Sequence, residues 1–244
     1  MKQFIYEQYI DFKDKHWWFV ARRKILDKII RSFFNKSKDN TYILEVGCAS
    51  GGNFGLLSKF GKLFALEMND LSIEYAKKRN LAVVKKGILP HNIPFNKKFD
   101  LIAAFDVIEH IDDDLSAVKE LVNRLNNNGI IVITVPAFKF LWGSHDVVAE
   151  HKRRYNKKML LKLANNTGLN VLYVSYFNFF LFPIIAGIRF FYKLIKRKNK
   201  SDNVLPSNFI NNLLIKIFAA ERFFLPKIKF PFGVSLVLVA KKNY

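Results

Sequence analysis

One segment, Ile43-Leu44-Glu45-Val46-Gly47-Cys48-Ala49-Ser50-Gly51-Gly52-Asn53, constrains this chain more than any other. An apolar strand core, Tyr42–Val46, runs directly into a glycine-rich turn, and a helix-compatible stretch follows over residues 53–60. A turn without side chains at Gly47 and Gly51 lets backbone N–H groups approach a ligand closely. The spacing is Glu-x-Gly-x-Ala-x-Gly. That is neither the Gly-x-Gly-x-x-Gly of a dinucleotide site nor the Gly-Lys-Ser/Thr ending of a phosphate loop. Residues 63–66 then predict a second short strand that ends in Glu67. A carboxylate at the tip of the second strand of a doubly wound sheet is placed to accept both hydroxyls of a ribose.

Later segments fall into the same alternation. Residues 82–87 read as a strand, and residues 99–111 as a buried strand ending in Asp106, Glu109 and His110. Residues 115–125 carry helical apolar spacing, with 126–129 as a stop signal. Residues 130–136 are almost continuously apolar, as expected of a strand covered on both faces.

The loop, Glu67 and the segment Phe99-Asp100-Leu101-Ile102 … Asp106-Val107-Ile108-Glu109-His110-Ile111 together resemble the class I S-adenosylmethionine-dependent methyltransferases, over residues 40–136. The resemblance implies an α/β, Rossmann-like, seven-stranded sheet with the last strand antiparallel and helices on both faces. It implies S-adenosylmethionine as cofactor and S-adenosylhomocysteine as product. Cofactor contacts would come from Glu45, Gly47, Cys48, Ala49, Gly51, Asn53, Glu67, Met68, Ile88, Leu89, Asp106 and Val107. Two positions depart from the pattern. Ala49 stands where the family has a middle glycine. Ile88 or Leu89 stands where it commonly has an Asp for the adenine amino group, so backbone groups and apolar packing would read the adenine.

Two clusters flank this core. His16-Trp17-Trp18-Phe19-Val20-Ala21-Arg22-Arg23 opens an amphipathic helix reaching about Phe34, similar to the N-terminal cover of bacterial methyltransferases. There Arg23 would pair with the methionine carboxylate and Trp18 would face the substrate. After the fifth strand, the pattern "P-A-…-L-W-…-H-D-…-H-…-R-R-Y" is similar to a subgroup of bacterial methyltransferases of envelope glycan and lipid pathways. A loop at the carboxyl end of that strand borders the crevice of an open sheet. His145 oriented by Asp146 is the first candidate base and His151 the second. Arg153 and Arg154 would clamp an anionic substrate group, beside Trp142 and Tyr155.

These readings divide the chain into a helical cover (1–38), a methyltransferase domain (39–177 and 233–244) and an insertion (178–232). The insertion is expected to hold helices over 179–196 and 207–225, with Ser207 as cap and Pro226 as stop. Net charge matters here. Of the formal +20, residues 41–136 contribute nothing, while 137–244 hold 19 basic and 4 acidic groups. The run Lys196-Arg197-Lys198-Asn199-Lys200 lies between aromatic-rich helices, a composition suited to an anionic membrane surface; packing on the domain or a homodimer face are the alternatives. The uncharged stretch 163–188 is broken by a strand and a loop and is not expected to span a bilayer.

A single cysteine, Cys48, and the absence of an apolar signal region at the start suit the cytoplasm, with peripheral attachment to the inner face of the cell membrane. No Cys/His spacing suggests a metal. The expected reaction is in-line methyl transfer to a hydroxyl of a glycan, lipid-linked or small-molecule acceptor. The alternatives are a nucleic-acid methyltransferase and a non-catalytic cofactor-binding adaptor docked on a membrane. Nucleic acid is disfavoured, because the chain lacks the Asn/Asp-Pro-Pro-Tyr/Phe sequence and an RNA-binding module.

Overall fold

A computed structural model describes residues 13–195 and 205–242. The polybasic run 196–200 falls outside the described residues. Seven strands form one sheet: β1 Tyr42–Val46, β2 Lys62–Glu67, β3 Val83–Lys86, β4 Phe99–Phe105, β5 Leu125–Pro136, β6 Leu169–Phe177 and β7 Ser235–Lys242. Their order is β3-β2-β1-β4-β5-β7-β6, with β7 antiparallel to both neighbours. This is the Rossmann-like sheet with an antiparallel last strand that the resemblance implies. The order reverses between β1 and β4, and the crevice beyond the carboxyl ends of these strands is where such sheets bind ligands.

The central strand β4 is buried along its whole length because helices cover both faces. The helices are α1 Trp17–Phe33, α2 Phe54–Leu57, α3 Asp70–Lys78, α4 Asp114–Asn123, α5 Ser144–Val148, α6 Lys157–Asn166, α7 Phe182–Leu194 and α8 Asn208–Ala219. In α1, Ala21, Ile25, Leu26, Ile29 and Ile30 make a stripe at helical spacing, all fully buried. Each of the Ile and Leu side chains contributes about 1.5–3 kcal/mol by leaving water.

Several boundaries differ from the sequence reading. The fourth strand stops at Phe105, and Ile108–His110 is a 3-10 turn, because Asp106 adopts a left-handed backbone (φ 56). Residues 126–129 do not separate helix from strand but belong to β5, whose register against β4 shifts there. Ser207 occupies the cap position of α8 without a side-chain cap hydrogen bond.

Between β6 and β7 the described residues form α7, α8 and a 3-10 turn, Ala220–Phe223. One buried carboxylate fixes their approach: Glu221 accepts from the backbone N–H groups of Asn178 and Phe179, each at 2.7 Å, and of Phe180 at 3.0 Å. Trp18 of α1 stacks on Phe218 of α8 and on Phe177. Among the described residues, no helix is long and apolar enough to cross a membrane.

Candidate active site

A cavity of about 1030 Å³ opens at the carboxyl ends of β1, β2, β4 and β5. At one end lies the glycine-rich loop. Gly47 has φ +64, and a Cβ there would meet a Val107 methyl at 2.7 Å, so the position tolerates only glycine without rearrangement. Ala49 also sits in the left-handed region (φ 45). Its N–H donates to Glu67 at 2.8 Å, a bond that holds the strained residue in place.

Glu67 also accepts from the N–H groups of Met68 and Asn69, at 2.9 and 3.0 Å. An ionised carboxylate offers about four lone-pair sites, so three backbone bonds leave acceptor capacity toward the cavity. Gly47, Ala49, Glu67, Met68, Ile88, Leu89, Asp106 and Val107 all line it.

Glu45, Cys48, Gly51 and Asn53 stand behind the loop and do not line the cavity. Glu45 accepts from the Asn53 side-chain amide at 2.7 Å, and burial pushes its pKa up to about 7. Its role is to brace the loop from below. The structure also corrects the arginine. Successive helical residues point about 100° apart, and it is Arg22, buried and ion-paired with Asp106, that faces the cavity. Arg23 turns away to the backbone carbonyls of Lys13 and Asp14. Lys13 and Trp18 join the lining.

At the other end, Asp146 is fully buried and accepts four hydrogen bonds. Its Oδ1 takes His151 Nδ1 at 2.8 Å and Arg154 Nε at 2.7 Å; its Oδ2 takes the Gly143 N–H at 2.8 Å and Arg154 Nη2 at 3.0 Å. These partners hold its carboxyl well below the usual carboxylate range, against the cost of burial. The aspartate therefore orients His151, not the adjacent His145 as the sequence suggested. His145 and His151 both line the cavity, with ring centroids 5.7 Å apart.

Arg154 reaches the lining, but its guanidinium is engaged by Asp146 and the Ala137 carbonyl, so it acts as a structural ion rather than a free clamp. Trp142, Arg153 and Tyr155 do not line the cavity. Arg153 pairs with Asp114 at 2.9 Å, and the Tyr155 hydroxyl donates to the same carboxylate at 2.6 Å. That bond and burial raise the phenol's pKa.

Sequence reasoning placed no site role on Glu109 or His110. Glu109 is fully buried, lines the cavity, and neither carboxylate oxygen has a hydrogen-bond partner. Burial, and the charge of Asp106, push its pKa well above the ordinary value. His110 packs edge-on against His151 at 4.7 Å, and burial lowers its pKa to about 4. The acidic-histidine end of the β4 segment was visible in the sequence; its convergence with His151 was not.

A family model described as a methyltransferase domain matches residues 18–174. The chain is similar to the ubiquinone biosynthesis O-methyltransferase of Pelagibacter ubique, 30% identical over 123 residues that cover 47% of this chain and 51% of that protein. It is also similar to the protein of the same name from Rickettsia canadensis, 26% identical over 165 residues, covering 60% of this chain and 69% of that one. The chain thus spans about half the length of the first relative. Among solved structures, an S-adenosylmethionine-dependent methyltransferase from Clostridium acetobutylicum superposes with a TM-score of 0.56 at 14% identity, covering 98% of this chain and 92% of that one. A magnesium protoporphyrin IX methyltransferase from Synechocystis, solved with S-adenosylhomocysteine bound, gives 0.55 at 10% identity, covering 92% and 84%. At such identities the structural likeness speaks for the fold.

Proposed function

The chain belongs to the methyltransferase-domain family, and from that premise we propose that it transfers the methyl group of S-adenosylmethionine to a hydroxyl of an apolar or lipid-linked acceptor. The observation that carries this reading is the shared cavity. Gly47, Ala49 and Glu67 line one end, and His145 and His151 line the other. Its volume, about 1030 Å³, is at the upper end of single-ligand sites and suits a cofactor and an acceptor together.

The residues present fit the cofactor. A loop that a single Cβ at Gly47 would obstruct leaves backbone free for close approach, and Glu67 keeps acceptor capacity for ribose hydroxyls. Bound S-adenosylmethionine supplies an electrophilic methyl on a sulfonium sulfur. The protein's share is then to align the acceptor, exclude water and take up a proton. Arg22, which lines the same cavity and is paired with Asp106, would meet an anionic cofactor group. Asp146 is an acceptor only, so it holds His151 with Nδ1–H donated and Nε2 carrying the lone pair. Of the histidines that line the cavity, His145 and His151 lie at this end and would receive the hydroxyl proton. The O-methyltransferase named in the relatives favours oxygen as acceptor.

The apolar acceptor is inferred from α7. None of its residues is buried; Ile185, Ile188 and Arg189 line the cavity, while Phe190 and Leu194 are about 70% exposed. Phe209 of α8 and Phe223 are exposed as well. Across the described part of 178–232 the basic residues are Arg189, Lys193, Lys216, Arg222, Lys227 and Lys229, and the one acid, Glu221, is buried. Exposed aromatics with cationic neighbours suit an anionic lipid headgroup layer. A nucleic-acid partner is disfavoured by the lack of an Asn/Asp-Pro-Pro-Tyr/Phe sequence and of an RNA-binding module, although the net charge of +20 would suit one.

The test pairs two measurements. Methyl-labelled cofactor with fractionated host extract should place label in the lipid fraction, and wild-type protein should float with anionic vesicles at low salt. Label in RNA, or a protein that stays in solution with a dimer broken by Phe190→Ser and Phe191→Ser, would replace this reading with the nucleic-acid or the dimer one.

A further inference from the structure

We infer that Glu109, His110 and His151 form a binding site for a divalent transition-metal ion at the acceptor end of the cavity. The inference rests on the methyltransferase reading for the acceptor's place, though not for the metal site itself. One ligand atom from each of the three residues lies within 4.8 Å of the others, and His151 Nε2 is 4.0 Å from Glu109 Oε1. Three protein ligands in tetrahedral array around an ion would sit about 3.4 Å apart for bonds of about 2.1 Å. Binding would require the Glu109 and His110 side chains to turn toward the ion and close that gap.

Three independent features favour an ion over a merely packed cluster. First, Glu109 is fully buried with both oxygens unpartnered, an expensive arrangement unless something cationic meets it. Second, both histidines are oriented from behind. Asp146 accepts the Nδ1–H of His151, and the Ala149 backbone lies close enough to His110 to raise its basicity slightly. A carboxylate or carbonyl behind a histidine fixes its tautomer and aims the other nitrogen at a metal. Third, the charges of the neighbouring guanidiniums are met by carboxylates, Arg22 by Asp106 and Arg154 and Arg189 by Asp146.

Two imidazoles and a carboxylate suit zinc, cobalt or iron better than magnesium, which prefers oxygen ligands. Three protein ligands leave a coordination position open to the cavity, as in catalytic sites. An acceptor hydroxyl occupying it would lose its proton more readily. With His151 Nε2 on the metal, His145 takes that proton. The oxygen then forms the new C–O bond, the C–S bond breaks, and its electron pair stays on sulfur as a neutral thioether.

Cobalt(II) chloride is the probe, added to the protein after stripping with a chelator. Wild type should bind one equivalent, with the visible absorption of imidazole-bound cobalt and a raised melting temperature. Glu109→Gln and His110→Gln, shown folded by circular dichroism and by retained S-adenosylmethionine binding, should each weaken cobalt binding by on the order of 100-fold. No saturable cobalt signal in wild type, or unchanged affinity in both variants, overturns the metal site and leaves the methyltransferase reading intact. Full methyl transfer by stripped protein overturns the metal's part in holding the acceptor. Cobalt binding without methyl transfer to any fraction overturns the methyltransferase reading and leaves the metal site standing.

Discussion

Asp146→Asn tests the acceptor end of the cavity most sharply. Asp146 accepts four hydrogen bonds, two on each oxygen, and of its partners only the His151 ring nitrogen can accept, by changing tautomer. Asparagine replaces one oxygen by an NH₂ group. Whichever way the amide turns, it faces two donors: either Gly143 N–H with Arg154 Nη2, or His151 Nδ1 with Arg154 Nε. One or two of the four bonds are lost, an Arg154 bond in either orientation, and Arg154, 3% exposed, becomes a buried charge without its counter-ion. Removing one partner of a buried pair costs about 3–5 kcal/mol, against a total of roughly 5–15 kcal/mol for a domain. Urea denaturation should show that loss as a lower midpoint with unchanged slope. Most of the cost belongs to the stranded guanidinium, so Asp146→Asn/Arg154→Met should be at least about 2 kcal/mol more stable than the two single losses added together. Under conditions where the single variant is fully folded, turnover should still fall by roughly 10²-fold, because the charged acceptor that fixes the His151 tautomer is gone in either orientation. Additive stabilities in the cycle, or normal turnover in the folded variant, would refute the reasoning.

Two further outcomes follow from the same geometry. Glu67→Ala should weaken S-adenosylmethionine binding by about 1–3 kcal/mol through the loss of a charged acceptor and of the bond to Ala49 N–H, and calorimetry showing unchanged affinity in folded protein would remove Glu67 from the cofactor site. Burial pushes Glu221 up to about 7 from an ordinary 4.5, against the pull of its three N–H partners. Between those values the native chain holds a proton that the unfolded chain has released, so this group's contribution to stability falls as pH rises through the window, by on the order of 3 kcal/mol. Glu221→Gln should therefore compare more favourably with wild type at pH 8 than at pH 5, and a pH-independent difference between the two would exclude the titration.

Most of the sheet was legible in the sequence because its signals are local. Period, apolar runs and glycine placement lie within a few residues of each other, so Tyr42–Val46, Leu169–Phe177 and the glycine-rich turn could be read directly. The same locality explains the errors. Arg22 and Arg23 are neighbours in composition, and only the packing of α1 decides which faces the cavity. His145 stands beside Asp146 in the chain, yet a helix turn points them apart, and the aspartate meets His151 instead. Tyr155 and Arg153 look like substrate groups in a list of residues but are anchored on Asp114. What the sequence determined by itself was a strand–turn–helix that must expose backbone to a ligand, and a carboxylate twenty residues on. What only the tertiary structure decided was the acceptor end, where a turn after β4 and a loop after β5 bring Glu109, His110 and His151 together. Such a cluster has no sequence period, because its residues are joined through the sheet rather than along the chain.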